Sequence, residues 1–394
     1  MSAGRLRIGI GGMGAAGQAF IPALQGHPAF EWVALAEPVA ALRELMQQQQ
    51  AVAGYASLPE MLAHPGLDAV CLATPTPLHA AQAALAAAAG KHVLVEKPMA
   101  VSLGEARAMI AAAEAAGVVL VVGHSHSFDA PIAAMRELIE AGDLGPVSMA
   151  HTWCYSDWMQ RPRRPDELDP TQGGGVTFRQ GAHQFDILRL LCGGRARSVR
   201  ARTFDWNPQR RGIGAHTVFI DFEDGAAATA VYNGYGGFSS IDLCFDVGEW
   251  GQHLPPQARS RAAAGAMSPE AELQAKQARA ASAIPATAPH QPFFGLTLVS
   301  CERGDIRQSP DGLRVYTEQG VREVALPRDR SPRQRVLDEF AAAVRGEAQA
   351  LHDGRWGLAN LEVCVAALQS SQTGRDVLLH EQTAVPARRP RGGG

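Results

Sequence analysis

Long apolar runs are absent from this chain: none approaches the ~18 residues that a membrane-spanning helix requires. Charge is sparse and nearly balanced, with 19% charged residues and a formal net charge of −3. No broad basic surface therefore calls for nucleic acid or an anionic membrane as partner. Cys71, Cys154, Cys192, Cys244, Cys301 and Cys364 are scattered, with no Cys-x-x-Cys pair. That spacing argues against a disulfide frame and a structural zinc, so no metal site is expected; reduced, mostly buried thiols point to the cytoplasm. Met1 to Arg5 reach the first strand too quickly to hold a secretory apolar region.

What is present begins at once. A short apolar strand, Leu6 to Ile10, runs into Gly12-x-Gly14-x-x-Gly17 and then an Ala-rich helical pattern. Gly12 makes the tight turn, Gly14 admits a pyrophosphate, and Gly17 lets helix and strand pack closely. The backbone N–H groups around Met13, Gly14, Ala15 and Ala16 would face the phosphates. A second strand, Trp32 to Ala36, ends in Glu37, where a carboxylate can accept hydrogen bonds from the adenosine ribose. Glu37 is followed by Pro38 with no adjacent arginine for a 2′-phosphate, which favours NAD over NADP.

At 394 residues the chain can hold two domains. Strands and helices alternate to about residue 123: helix from Arg43 to Ala53, short helix from Ser57 to His64, strand from Ala69 to Ala73, helix from Leu78 to Ala89, and strand from Val93 to Glu96. A capping box at Ser102–Glu105 opens the next helix, and Val118 to Val122 is again a strand. This alternation predicts a doubly wound parallel sheet over 1–125, an α/β Rossmann unit. After the helix Pro131 to Ala141 the period falls to two over 147–153, 198–206, 216–222, 226–235, 296–302 and 313–326, with one helix from Phe178 to Leu191. These segments predict an α+β unit over 126–385 with a mostly antiparallel open sheet, forming the substrate wall and the oligomer surface. Residues 252–292, rich in Ala, Gln, Ser and Pro, read as a surface insertion or partly disordered arm rather than a lid. The basic tail, 386–394, reads as disordered.

Three further stretches carry a resemblance. They are Thr74-Pro75-Thr76-Pro77-Leu78-His79, Val95-Glu96-Lys97-Pro98, and Gly173-Gly174-Gly175 continuing through Arg179 and His183 to Asp186. With the glycine turn, the chain resembles the Gfo/Idh/MocA oxidoreductases over nearly its whole length outside 252–292. The resemblance implies a Rossmann domain followed by an open sheet, an NAD or NADP cofactor, a cis bond before Pro98, and catalytic roles for Lys97 and His183. Thr74, Pro75 and Glu96 lie at carboxyl ends of parallel strands, where such sheets open their ligand crevice. His79 either touches the cofactor or caps and packs. Lys97, beside a cationic nicotinamide and partly buried, favours its neutral form and can take or relay an alcohol proton.

Arg179, His183 and Asp186 are spaced i, i+4, i+7 on one helix face, with Asp186 orienting the imidazole. Relatives that oxidise sugars usually carry Asp where Arg179 stands. An arginine cannot accept hydrogen bonds, but it grips a carboxylate with two prongs. Arg161, Arg163 and Arg164 lie just upstream, as substrate ligands or as a solvated basic loop. His124 and His126 end the last Rossmann strand and can bind hydroxyls or an aromatic acid. Aromatic residues are only 6% of the chain, so Trp153, Tyr155, Trp158 and Phe178 stand out, as core or as walls for a flat substrate. Within the family this set resembles dehydrogenases of carboxylated aromatic cis-dihydrodiols, implying a small carboxylated substrate and a homodimer or homotetramer. A sugar or inositol dehydrogenase, or a non-catalytic dinucleotide sensor, is the alternative.

Overall fold

The computed structural model describes residues 4–254, 268–280 and 288–386. Residues 387–394 of the basic tail, and 255–267 and 281–287 of the Ala-rich stretch, lie outside them. Six parallel strands form the first sheet: β1 (Leu6–Gly11), β2 (Phe30–Ala36), β3 (Ala53–Tyr55), β4 (Ala69–Leu72), β5 (His92–Glu96) and β6 (Leu120–Gly123), in the order β3-β2-β1-β4-β5-β6. The order reverses between β1 and β4, and a crevice opens there at the carboxyl ends of the strands. Ile8, Ile10, Val70, Leu72, Val93 and Val95 are fully buried, as strands covered on both faces must be.

The helix expected over 43–53 spans Ala40–Gln50; Ala51 turns left-handed at φ 54 and the short edge strand β3 follows. Three residues containing a glycine carry too little period-2 signal to be read from sequence. The other predicted elements of this half appear within a few residues.

The second sheet contains β7 (Val147–Tyr155), β8 (Ala196–Phe204), β9 (Ala215–Phe222), β10 (Ala227–Asn233), β11 (Leu296–Cys301), β12 (Gly304–Ser309), β13 (Gly312–Thr317), β14 (Gly320–Ala325) and β15 (Val377–Leu378). Their order is β14-β13-β12-β11-β7-β10-β9-β8-β15, antiparallel except for the β7–β10 pair. The run expected over 313–326 is a hairpin, broken at Gly320 where φ is +115. The expected single helix over 178–191 is two, Gly175–Arg179 and Gly181–Leu191, separated by Gln180 at φ −118. The second piece is buried along its whole length between the sheet and the helix Gly354–Thr373.

Two long helices near the C-terminus were not anticipated. Pro332–Val344 opens with a capping box in which Ser331 Oγ accepts from Gln334 N at 3.2 Å and Gln334 Oε1 accepts from Ser331 N at 2.8 Å. It returns to the first sheet, where Phe340 stacks on Phe30 with ring centroids 5.8 Å apart. Gly354–Thr373 is buried on nearly every side, so it shows no amphipathic stripe. Residues beyond 330 thus help to cover the first sheet as well as the second. Among the described residues no helix is long and apolar enough to cross a membrane.

Candidate active site

The glycine turn follows β1. Gly12 sits at φ +87, where a Cβ would lie 2.9 Å from the Ala73 carbonyl oxygen. A Cβ on Gly17 would collide with the carbonyl oxygen of Gly12, whereas one on Gly14 meets nothing within 4 Å. Closure is thus confined to Gly12 and Gly17, and the face at Gly14 is open. The helix Ala15–Gln18 starts at Gly14 without a side-chain cap, leaving its first N–H groups, at Ala15 and Ala16, for an external acceptor. Glu37 Oε2 accepts from Met13 N at 2.9 Å and its Oε1 from Val39 N at 3.1 Å, so the carboxylate braces the turn. Each oxygen keeps a further lone pair for a ribose hydroxyl. Arg43 Nη1 donates to the Glu37 carbonyl at 2.7 Å. These residues fit a dinucleotide.

Two strand-end turns lie beside it. After β4, Thr74 Oγ1 donates to Gln82 at 2.6 Å, and Pro75 leads into a short 3-10 turn at Thr76–Leu78. His79 is fully buried, with Nε2 2.9 Å from the Thr74 carbonyl and Nδ1 3.0 Å from that of Pro98. Burial lowers its pKa to about 4, so the neutral ring donates to one of the two carbonyls. It ties the turns together and offers no nitrogen to a cofactor. After β5, Glu96 is buried and accepts from Lys97 N at 3.3 Å, and the Lys97–Pro98 peptide is cis. Lys97 Nζ donates to the carbonyl oxygen of Arg179 at 2.7 Å. Burial, then the nearby Arg179 guanidinium, push the Lys97 pKa down to about 8.

That bond seats Lys97 on the break between the two helices, one turn before His183. The break also corrects the expectation of a shared helix face. Arg179 ends the first helix and points away, with Nη1 on Thr76 Oγ1 at 2.8 Å and Nη2 on Glu167 Oε1 at 3.2 Å. Its fork is occupied from within the protein. His183 is buried, and burial followed by the Lys97 charge holds its pKa well below the usual value, so the ring is neutral. Its ring meets that of His126 edge-on at 4.5 Å and that of Phe294 at 5.0 Å. Asp186 does not orient it: Asp186 is fully buried and accepts from Trp356 Nε1 at 2.7 Å on the helix Gly354–Thr373.

The two histidines after β6 differ. His124 is buried with neither ring nitrogen partnered among the described residues, and burial lowers its pKa to about 4. His126 Nδ1 lies 2.9 Å from Asp129 Oδ2, and Nε2 lies 3.5 Å from Glu249 Oε1. Burial opposes its charge, but the two carboxylates outweigh it and raise the pKa to about 9. The ring is therefore cationic at neutral pH.

A cavity of about 720 Å³ is bounded by Ala15 of the glycine turn, Tyr155, Gln180, Glu249, Trp250 and Phe294. It meets the cluster through Glu249 and Phe294, which contact His126 and His183, while Lys97, His124, His126 and His183 do not themselves line it. Arg161 lines it, with Nε on Asp157 Oδ1 at 2.8 Å, and so does Arg163. Arg164 is held bidentately by Asp166, both bonds at 2.9 Å, and does not border the cavity. Trp158 is buried beneath the Arg163 guanidinium, 4.0 Å from its ring centroid. It and Phe178 are core, and Trp153 is 42% exposed on the outer sheet face; Tyr155 alone of the four flagged aromatics lines the cavity.

Glu249, Trp250, Phe294 and Glu167 escaped sequence reasoning. Glu249 and Trp250 sit between Gly248 and Gly251, at the tip of a turn closed by a Val247–His253 bridge. The flanking glycines are the one signal that could have marked it. Among the described residues no group of three or more His, Cys, Asp or Glu is placed to hold a metal ion.

Comparison with known proteins agrees with this architecture. Residues 6–124 match the model of the oxidoreductase family with an NAD-binding Rossmann fold, and 132–245 match the GFO/IDH/MocA C-terminal domain. The chain is 35% identical over 379 residues, 93% of it and 95% of the relative, to 1-carboxy-3-chloro-3,4-dihydroxycyclohexa-1,5-diene dehydrogenase of Comamonas testosteroni. A solved structure from Bordetella bronchiseptica RB50 is 39% identical, with a TM-score of 0.88 over 95% of this chain and 100% of that one. A dehydrogenase from Bordetella pertussis, solved with NADH and UDP-GlcNAcA, shares the fold at 22% identity, with a TM-score of 0.71 over 96% of this chain and 99% of the other. Glycine turn, cis Lys97–Pro98 bond, open second sheet and these matches agree: the chain is an NAD-binding oxidoreductase of the Gfo/Idh/MocA family.

Proposed function

We propose that the protein oxidises a carboxylated cyclic cis-dihydrodiol to the corresponding catechol with NAD. The observation that carries this reading is the seat of Lys97 on the Arg179 carbonyl beside a neutral His183, next to a cavity bordered, among the described residues, by more cations than carboxylates. The relative from Comamonas testosteroni, named for a carboxylated dihydroxycyclohexadiene, supports the substrate class.

NAD, when bound, supplies the hydride acceptor. The turn at Gly12, Gly14 and Gly17, with Glu37 beneath it, holds the dinucleotide. Lys97, neutral above a pKa of about 8, takes the proton of the diol hydroxyl whose carbon gives up hydride. His183, neutral and next in line, holds that hydroxyl or relays its proton. The carbon that loses hydride becomes a carbonyl, and its ring tautomerises to the catechol. The gain in aromaticity makes the sequence one-way. Arg161 replaces Arg179 as the group that meets the substrate carboxylate, because Glu167 and Thr76 already fill the Arg179 fork.

Glu37 and the absence of an arginine at position 38 support NAD over NADP. Met149 and Trp153 on β7 and Phe219 on β9 are each more than 40% exposed on one face of the second sheet. An apolar face of that kind is suited to a second copy of the chain, and we assign the homo-oligomer contact there. The function is tested by following NAD reduction at 340 nm with 3,4-dihydroxycyclohexa-1,5-diene-1-carboxylate, with myo-inositol and with glucose. Turnover of the dihydrodiol alone supports the reading; turnover of the polyols alone overturns it.

A further inference from the structure

The Ala-rich stretch does not hang free where it is described. Residues Pro269–Ala280 form a helix that borders the cavity through Lys276 and Arg279. At one end it packs against the helix Ala15–Gln18 of the glycine turn. On the other side Glu272 accepts from Arg163 N at 3.1 Å and pairs with Arg210. Lys276 pairs with Glu167, the carboxylate that also holds Arg179. The helix is therefore fixed both to the nucleotide turn and to the loop that carries Arg161.

Its inner face reaches the cavity through Lys276 and Arg279. Among the described residues that line this space, Arg161, Arg163, Lys276 and Arg279 are cations, and Asp157 and Glu249 are carboxylates. Among these described side chains the helix adds two cations, one of which, Lys276, is paired with Glu167, so the positive charge that it brings to the wall is that of Arg279. A concave wall of one sign concentrates counter-ions of the other. Arg161 spends Nε on Asp157, but a guanidinium has five N–H donors, so that bond does not exhaust it. Arg279 stands at the rim, and Lys276 is half-buried behind it.

We propose that the helix 269–280 is the carboxylate-selecting wall of the substrate site, with Arg279 at the rim acting together with Arg161 inside and Lys276 latching the helix to Glu167. This rests on the proposed oxidation of a carboxylated dihydrodiol. The helix then decides which diols enter, while the residues around Lys97 carry out the oxidation. Lys276 is a positioning residue: its bond to Glu167 joins the helix to Arg179, whose carbonyl holds Lys97.

The test measures kcat/KM for the 1-carboxylate dihydrodiol and for its uncharged 1-carboxamide isostere, in the wild type and in Arg161→Gln, Arg279→Gln, Arg279→Lys and Lys276→Met. The readout is the ratio of the two values. Loss of an enclosed, charge-assisted contact lowers that ratio by about 10- to 100-fold in Arg161→Gln. Loss of the rim cation lowers it by about 2- to 5-fold in Arg279→Gln, with recovery in Arg279→Lys. In Lys276→Met the ratio falls and KM for the carboxylate loses part of its dependence on salt. Binding of 3,4-dihydroxybenzoate to the NAD-loaded protein, measured by calorimetry, keeps the test open for any variant that binds but turns over poorly. A wild-type ratio near one overturns the substrate reading itself. A high wild-type ratio kept in both Arg279→Gln and Lys276→Met overturns the role of the helix.

Discussion

Lys97 loses its charge at about pH 8 rather than well above it, because burial and then the positive charge of Arg179 disfavour the ammonium. As a base it works only when deprotonated, so kcat/KM should rise with pH along a one-proton limb whose midpoint lies near 8. Lys97→Ala should lower turnover by about 10²- to 10⁴-fold while NAD still binds in calorimetry; a rate equal to wild type would remove Lys97 from the mechanism. Glu37→Ala should weaken NAD affinity, since it removes the brace on Met13 together with the ribose acceptor; an equal dissociation constant would place that contact elsewhere. Lys97 and Glu37 could be singled out because each follows a strand end, where an α/β sheet opens its ligand crevice. Glu249 could not, because its partner His126 stands 123 residues away and only the flanking glycines mark its turn. Glu167 could not, because Arg179 and Lys276 stand 12 and 109 residues away, while its local partners Arg163 and Arg164 read equally well as a solvated basic loop.

At the scale of elements, the segment 157–180 is held by charge as much as by apolar contact. Glu167 is almost fully buried. Burial would raise its pKa, but Arg179, Lys276, Arg163 and Arg164 keep it well below the ordinary carboxylate range. Its contribution to stability is present above the unfolded carboxylate pKa of about 4.3 and is lost as the pH falls below that value. Glu167→Gln should cost about 3–5 kcal/mol, read from denaturant unfolding, because several buried cations lose their counter-charge together. Cores that replace an ion pair by apolar groups can stay stable, but removing one partner leaves the others exposed to the full desolvation cost. The break at Gln180 shows why i, i+4, i+7 spacing misled. Such spacing implies a common face only in an unbroken helix, and nothing in Arg179-Gln180-Gly181 except the glycine warns of the interruption. The helix Gly354–Thr373 was invisible for a different reason, since burial on all sides erases the amphipathic signal.

Across the whole molecule, the alternation of strands and helices made the first sheet legible, and the period of two made most of the second legible. Topology was not, because period says which residues face inward and nothing about neighbours; the parallel pairing of β7 with β10 is one such case. The uncovered face of that sheet bears on assembly. Trp153→Asp combined with Phe219→Asp should shift the protein from the proposed oligomer to monomer in sedimentation velocity, since both side chains stand out from the same face of the sheet, on the strands β7 and β9 that flank β10. An unchanged sedimentation coefficient would move the contact to another surface. The return of Pro332–Val344 to the first sheet also means that the two halves share one cover, so a truncation before residue 332 should expose Phe30 and its neighbours.

The tether between Lys97 and the Arg179 carbonyl has one further result. A carbonyl only accepts, so the bond survives whether the amine carries three hydrogens or two. In the proposed oxidation, the gain or loss of a proton on the far side of the nitrogen would not unfasten this bond. The proposed base would be reset in place, like a hinge that swings while its pin stays fixed.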